Sequence, residues 1–212
     1  MEPKKKRMKA DERRQAIIRA AMEVFARNGF GGSTTREIAE NAGISEAMIY
    51  SHFRNKQDLY AAIIEETLQE SEPLYYPLDA MRNKDDPRVF TTIVSNYLLK
   101  HSQDTTFLRL LLFSGLEGHE LASMFVAGPV RKYFEFLADY MRERINEGAF
   151  KPVDPQITSR CLLGMVHYLV LLREILGDDT LNSIDLTEEV ETIVKVFCEG
   201  IQADGCAAES VS

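Results

Sequence analysis

Apolar residues recur at intervals of three and four along most of this 212-residue chain, and glycines and prolines cut that helical rhythm into pieces. From Ala10 to Asn28, Ile17, Ala21, Val24 and Phe25 form one stripe, which Gly29 ends. Two short pieces follow. In the first, Thr34 and Thr35 stand where a helix start needs a hydroxyl cap, and Ile38, Ala39 and Ala42 share a face. Gly43 then supplies the left-handed residue that turns the chain. In the second, Ser45 is placed to cap, and Ile49 and Phe53 lie four apart as buried anchors. A longer helix runs from Lys56 through Leu59, Ile63, Ile64 and Leu68 and stops before Pro73.

Residues Glu72 to Lys84, with Pro73 and Pro77, read as a surface connection. Pro87 opens the next helix, which runs to about Gln103 with Phe90, Ile93, Val94, Tyr97 and Leu98 on one side. Thr105 to Ser114 is apolar nearly throughout, which predicts burial nearly all round, with Gly115 and Gly118 interrupting it. An amphipathic stretch continues through Phe125. Pro129 then starts or kinks a helix to Glu147, with Phe134, Leu137, Tyr140 and Met141 inward. Two helices close the chain, about Pro155–Leu176 and Leu186–Gln202. The first is apolar on nearly every side (Leu162, Leu163, Met165, Val166, Leu169, Val170, Leu171, Leu172), more than a small domain hides beneath its own fold, so a partner surface is implied. The last carries a stripe of Val190, Ile193, Val194, Phe197 and Ile201. The expected fold class is all-α.

Composition changes this picture in one respect. A chain of this length holds one large or two modest domains. Its net charge of −8, taken alone, argues against a nucleic-acid binder. Residues 1–56, however, carry 12 Lys/Arg against 7 Asp/Glu, and residues 57–212 carry 13 against 26. A basic head on an acidic body orients a molecule on DNA and discourages non-specific coating. Cys161, Cys198 and Cys206 are too few and too irregular for a disulfide framework or a zinc site. No apolar run is long enough for a bilayer span and no signal region follows the basic start, so a soluble, cytoplasmic protein without membrane association is expected.

Two short amphipathic helices joined at a glycine form the helix-turn-helix pattern, whose second helix enters the DNA major groove. The run T-x-x-I-A-x-x-A-G-I-S-x-x-x-I-Y-x-H-F-x-N-K-x-x-L, Thr35 to Leu59, resembles the signature of the TetR family of one-component transcriptional regulators. Over the rest of the chain the resemblance extends only to an all-helical, proline-punctuated plan. Four regions are expected: a basic arm (1–9), a three-helix DNA-binding domain (10–56), a helical effector-binding and dimerisation domain (57–204) and a tail (205–212). Pro3-Lys4-Lys5-Lys6-Arg7 reads as a DNA-contacting arm or as a nuclear-import tag.

Roles in the head follow from position. Thr35, at a helix mouth with Arg36 beside it, suits a phosphate, and Arg36 also suits a guanine edge. Ser45 caps the second helix, and Glu46, Ala47 and Met48 occupy its exposed first turn, where bases are read. Ala47 and Met48 offer only apolar contact, while Glu46 suits a cytosine amine or the exclusion of other sequences. The resemblance implies that Tyr50, His52 and Lys56 clamp the phosphate backbone. The plainer readings are a half-buried core aromatic for Tyr50 and an ordinary surface histidine for His52.

For the body, the resemblance implies a homodimer in which the last two helices pair with their copies. Leu162, Val166, Leu169, Val170, Val194, Phe197 and Ile201 are the interface residues expected. A two-fold dimer presents two heads about one helical turn apart to a palindromic operator on double-stranded DNA. It implies, too, a small-molecule effector held among the middle helices, for which Tyr97, Phe107, Leu111, Glu117, Tyr133, Met165 and Tyr168 are candidate contacts, each of which can equally be plain core. Glu117 beside aromatics would suit a lipophilic cation. Repression is the default sign.

No P-loop, dinucleotide fingerprint, Gly-x-Ser-x-Gly elbow or His-Glu-x-x-His pair is present, so neither enzymatic activity nor a cofactor or metal is expected. Cys161 and His167 fall about 240° apart around one helix and cannot act as a nucleophile–base pair within a subunit. The rival to an effector-released regulator is an effector-free DNA-binding dimer whose body serves only dimerisation or protein contacts.

Overall fold

The computed structural model describes residues 10–70 and 76–203. Eleven α-helices lie within them: α1 (Ala10–Asn28), α2 (Thr35–Ala42), α3 (Glu46–Tyr50), α4 (Lys56–Glu70), α5 (Leu78–Arg82), α6 (Asp86–Gln103), α7 (Thr106–Glu117), α8 (Glu120–Phe125), α9 (Arg131–Asn146), α10 (Pro155–Val170) and α11 (Leu186–Ile201). Among the described residues no strand forms, and one isolated bridge pairs Phe150 with Gln202. The fold is all-α. The basic arm and the terminal tail lie outside the described residues.

The chain divides into two units, Met1–Ser71 with Thr106–Phe125 and Glu72–Thr105 with Val126–Ser212. That division corrects a boundary. The motif places the end of the head at residue 56, yet α4, α7 and α8 all belong to the head unit. The reason is apolar area: α1–α3 are too short to enclose Ile17, Phe25, Ile38 and Ile49 by themselves. Leu59 and Ile63 of α4, Leu110 of α7 and Leu121 of α8 complete that core.

Local chemistry explains the short helices. Thr34 is the N-cap of α2: its Oγ accepts from the Glu37 N–H at 3.2 Å, and the Glu37 carboxylate accepts from the Thr34 N–H at 2.8 Å. These Thr34 bonds hold the Glu37 carboxyl below its ordinary pKa. Gly43 ends α2 at φ 64, ψ 34, and its N–H and that of Ile44 close back on the last turn. Ser45 occupies the N-cap of α3 but makes no capping bond with its side chain, contrary to expectation.

The second unit packs α6, α9, α10 and α11. Phe90 of α6 meets Phe197 of α11 edge-on, with ring centroids 5.0 Å apart. Asp86 lies buried in the first turn of α6, where Arg144 clamps it through Nε and Nη2 at 2.9 Å each and Tyr140 donates to it. Burial and the Asp86 bond push the Tyr140 phenol up, and the Asp86 bond raises Arg144. α9 begins two residues after Pro129, which sits in a π-turn, Val126–Val130; a second π-turn, Leu171–Ile175, extends α10. The surface connection before Lys84 contains α5, with Ala80 buried.

Two further expectations change. α7 is not interrupted at Gly115 but runs to Glu117, and Gly118 at φ 73 ends it. Nor is Thr105–Ser114 buried all round: Leu108, Leu110 and Ser114 are buried and the other seven residues are half-buried. No single helix among the described residues is long and apolar enough to cross a membrane.

Candidate nucleic-acid interface

α2 and α3 are braced by side chains as well as by the turn. Thr35 Oγ1 donates to Glu46 Oε1 at 2.5 Å and lies 3.1 Å from the Tyr50 hydroxyl, so one residue of α2 holds both ends of α3. Since the single Thr35 proton goes to Glu46, Tyr50 donates to Thr35. Ile49, on the opposite side of α3, is buried in the core, which leaves Glu46, Ala47 and half-exposed Met48 facing outward. Tyr50 is half exposed, not core.

Arg36 pairs with Glu40 across one turn at 3.1 Å, both side chains well exposed. Such a pair is worth about 1 kcal/mol or less, so a phosphate can replace Glu40 at small cost. The first-turn N–H groups of Thr35 and Arg36 are left for an anion at the positive end of α2. His52 is half-buried and lines a shallow cleft with Arg14, Phe53 and Arg54. Arg14 lies over the Phe53 ring at 5.3 Å, and Arg13 Nη1 is 3.9 Å from the Met48 sulfur. Neither Arg13 nor Arg14 belongs to the motif, because they lie on α1; their basic pairing at its start is the signal that could have found them.

Lys56 departs from its expected role. Its ammonium donates to the Phe30 and Ser33 carbonyls at 2.7 Å each and lies 4.3 Å from the centre of the Phe30 ring. It is half-buried and holds the α1–α2 turn; it does not project as a free cation.

The seven effector-contact candidates divide between the two units. Phe107 and Leu111 pack against the head core because α7 lies along α1. Both Glu117 oxygens are engaged, Oε2 by the Phe30 N–H at 2.9 Å and Oε1 by the Gly31 N–H at 3.4 Å. A carboxylate so occupied does not serve a lipophilic cation. Tyr97, Tyr133, Met165 and Tyr168 lie in the second unit, and Tyr168, 58% exposed, is on its surface. Tyr133 is buried, with its phenol pushed up by desolvation, and Tyr97 shares a 2.5 Å hydrogen bond with His167 Nδ1. Beside Tyr97 stands His101, buried, its Nδ1 without a partner and its pKa held down to about 4 by desolvation, Lys100 adding to this.

The expected dimer residues require the same kind of correction. Leu162, Val166, Val170, Val194, Phe197 and Ile201 are buried within one protomer and Leu169 is half-buried, because α10 and α11 turn those faces to α6 and α9. Among the residues α10 exposes, Ile157, Cys161, Gly164 and Tyr168 are spaced four, three and four, with Arg160 beside them; among those α11 exposes, Thr192, Val196 and Gly200 are spaced four, with Glu191, Lys195 and Glu199 alongside.

A short helix with an apolar inner and a readable outer face, with Arg13 and Arg14 of α1 close by and a glycine turn holding it on a second helix, defines a helix-turn-helix DNA-binding protein. Residues 17–63 match the family described as "Bacterial regulatory proteins, tetR family". The HTH-type transcriptional regulator RutR of Escherichia coli K12 is 24% identical over 195 residues, covering 90% of this chain and 91% of RutR. The uncharacterized HTH-type regulator YvkB of Bacillus subtilis is 25% identical over 191 residues, 89% of this chain and 96% of YvkB. Among solved structures, the Bacillus subtilis transcriptional regulator FadR in complex with stearoyl-CoA superposes with a TM-score of 0.63 at 21% identity, over 89% of this chain and 99% of that one. AibR in complex with isovaleryl coenzyme A and operator DNA gives 0.65 at 20% identity, over 87% and 97%. Over residues 17–63 the chain thus carries the DNA-binding segment of the tetR family of bacterial regulatory proteins, and over about nine-tenths of its length it is similar to HTH-type transcriptional regulators.

Proposed function

We propose that the protein acts as a homodimer that binds a palindromic operator, represses transcription there, and is released by a small, largely apolar ligand held in the second unit. The observation that carries the DNA half is the exposed turn Glu46-Ala47-Met48, presented by the Thr35–Glu46–Tyr50 brace and flanked by groups suited to phosphate. In this reading Ala47 and Met48 meet base edges and thymine methyls. Arg36, Ser45, Tyr50, His52 and the N-terminus of α2 meet phosphates. Glu46 braces α3 and repels sequences that offer it only acceptors.

Dimerisation is assigned to the exposed stripes of α10 and α11. Apolar side chains at Ile157, Tyr168 and Val196 stand beside the small residues Cys161, Gly164 and Gly200, which let two helices approach closely, and a Cβ at Gly164 or Gly200 would meet nothing within 4 Å in the protomer. Leu162, Phe197 and their inward neighbours support those helices from beneath.

For the ligand, Tyr97, Tyr133 and Met165 remain candidate contacts, with His101 and His167 as neutral hydrogen-bonding groups beside Tyr97. Neighbours solved with acyl coenzyme A esters support a ligand with an apolar chain and a polar end. Melting the full-length protein with stearoyl-CoA, isovaleryl-CoA and free coenzyme A tests this. The reading expects a raised midpoint with an acyl ester and none with coenzyme A alone, and loss of bound DNA at the same concentration. No shift with any of them, in a protein that binds an inverted repeat, favours the effector-free dimer.

A further inference from the structure

Glu117 is the last residue of α7, at the helix end where the dipole favours a cation. Its carboxylate therefore gains nothing from its own helix. What it holds lies 87 and 86 residues away in sequence: the N–H groups of Phe30 and Gly31, in the turn between α1 and α2. His119 Nε2 stands 3.4 Å from the same carboxylate, with its ring 4.8 Å from Phe30 and 5.6 Å from Tyr60. The approach is close enough that a Cβ at Gly29, itself at φ 71, would fall 2.4 Å from Glu117 Oε1.

From its other side the same turn is held by Lys56, which binds the carbonyls of Phe30 and Ser33. An anion on the N–H groups and a cation on the carbonyls thus fix residues 29–33. Those residues lead straight into Thr34, the cap of α2, and Thr35, the brace of α3. Residues 106–125 are also continuous with the second unit at both ends, through Thr105 and Val126.

We propose that Glu117 is a positioning residue for DNA recognition: its carboxylate sets the α1–α2 turn and so the mouth of α2, and the α7–α8 corner controls DNA affinity through it. The first half rests on the head alone; the second deepens the reading of the protein as a regulated DNA-binding protein. Glu117 touches no DNA and acts only through the turn.

The test uses full-length wild type, Glu117→Ala, Glu117→Gln, Gly118→Ala and the Glu117→Ala/Gly118→Ala double variant, with a duplex that the wild type enriches from a random-sequence pool. Glu117→Ala should weaken binding about tenfold, the scale of losing a charge-assisted hydrogen bond. Glu117→Gln, which keeps one acceptor, should fall between. Amide exchange at Phe30 and Gly31 should quicken in the order wild type, Gln, Ala. Gly118→Ala strains only the backbone, with open space around the new Cβ, and should weaken binding in the wild type but not in Glu117→Ala.

Wild-type affinity or unaltered exchange in Glu117→Ala overturns the positioning role. Additive effects of the two substitutions overturn control from the corner. The exchange measurement needs no DNA. A protein that enriches no duplex yet shows the exchange pattern would contradict the DNA-binding reading and leave the turn lock standing.

Discussion

A hydroxyl, an ammonium and an imidazole show how single residues divide the work. Thr34 caps α2 and receives Glu37 in return, so Thr34→Ala should cost about 1 kcal/mol in urea unfolding, and an unchanged midpoint would show that the cap contributes nothing. Lys56 satisfies two carbonyls of the α1–α2 turn. Lys56→Met should therefore destabilise the fold by about 1–2 kcal/mol. It should leave the salt slope of DNA binding nearly as it was, whereas a slope lower by about one would make Lys56 a phosphate clamp after all. His101 titrates in the unfolded chain near the ordinary histidine value of about 6.5 and in the folded protein at about 4. Between those values the unfolded chain binds the extra proton, so acidification from pH 6.5 to 4 lowers stability, and His167, shifted the same way, adds to the effect. Urea midpoints for His101→Gln should fall less steeply over that window than those of the wild type; parallel curves would contradict the buried, neutral imidazole.

At the scale of elements, the decisive feature is a turn whose backbone only glycine adopts cheaply. Gly43 lies at φ 64, and a Cβ there would meet nothing within 4 Å, so Gly43→Ala adds no clash and its cost is conformational, about 1 kcal/mol. Because that turn aims α3, DNA affinity should fall further than stability does; equal losses would mean that the aim of α3 is set elsewhere. The head helices are legible in the sequence because their caps, turn and anchors are local: Thr34, Gly43, Ile49 and Phe53 lie within about 20 residues of one another, and each reports its own environment. α7 is not. Its run of Phe107, Leu108, Leu110, Leu111, Leu112 and Phe113 announces burial but not against what, and only the fold brings Leu110 to the core that α1–α3 leave open. Glu117 is legible as a carboxylate near aromatics; that its partners are backbone N–H groups of residues 30 and 31 is a long-range fact no periodicity carries. α10 misleads for a related reason. A helix apolar all round has two faces to assign, and hydrophobicity alone gives the interface to Leu162 and Val166, which the protomer's own core takes.

For the whole molecule, the charge split and the exposed faces of α10 and α11 support the proposed reading, in which the basic N-terminal segment meets DNA and those faces meet a second copy. Replacing Tyr168 and Val196 together by lysine should give monomers in sedimentation velocity with helical circular dichroism retained, since both side chains are more than half exposed. Phe197→Lys should instead unfold the second unit, because that ring lies against Phe90 in its core. A Tyr168/Val196 variant that remains dimeric would move the interface off these faces.

The central claim is that two copies of the α2–α3 head read one operator together. Enrichment of duplexes from a random pool by the full-length protein, near physiological salt of about 150 mM, measures it directly. The expected product is an inverted repeat with half-site centres about 34–36 Å apart. Affinity for that repeat should exceed affinity for scrambled DNA by about a thousandfold or more. Enrichment of a single half-site, or of no sequence at all, would contradict it.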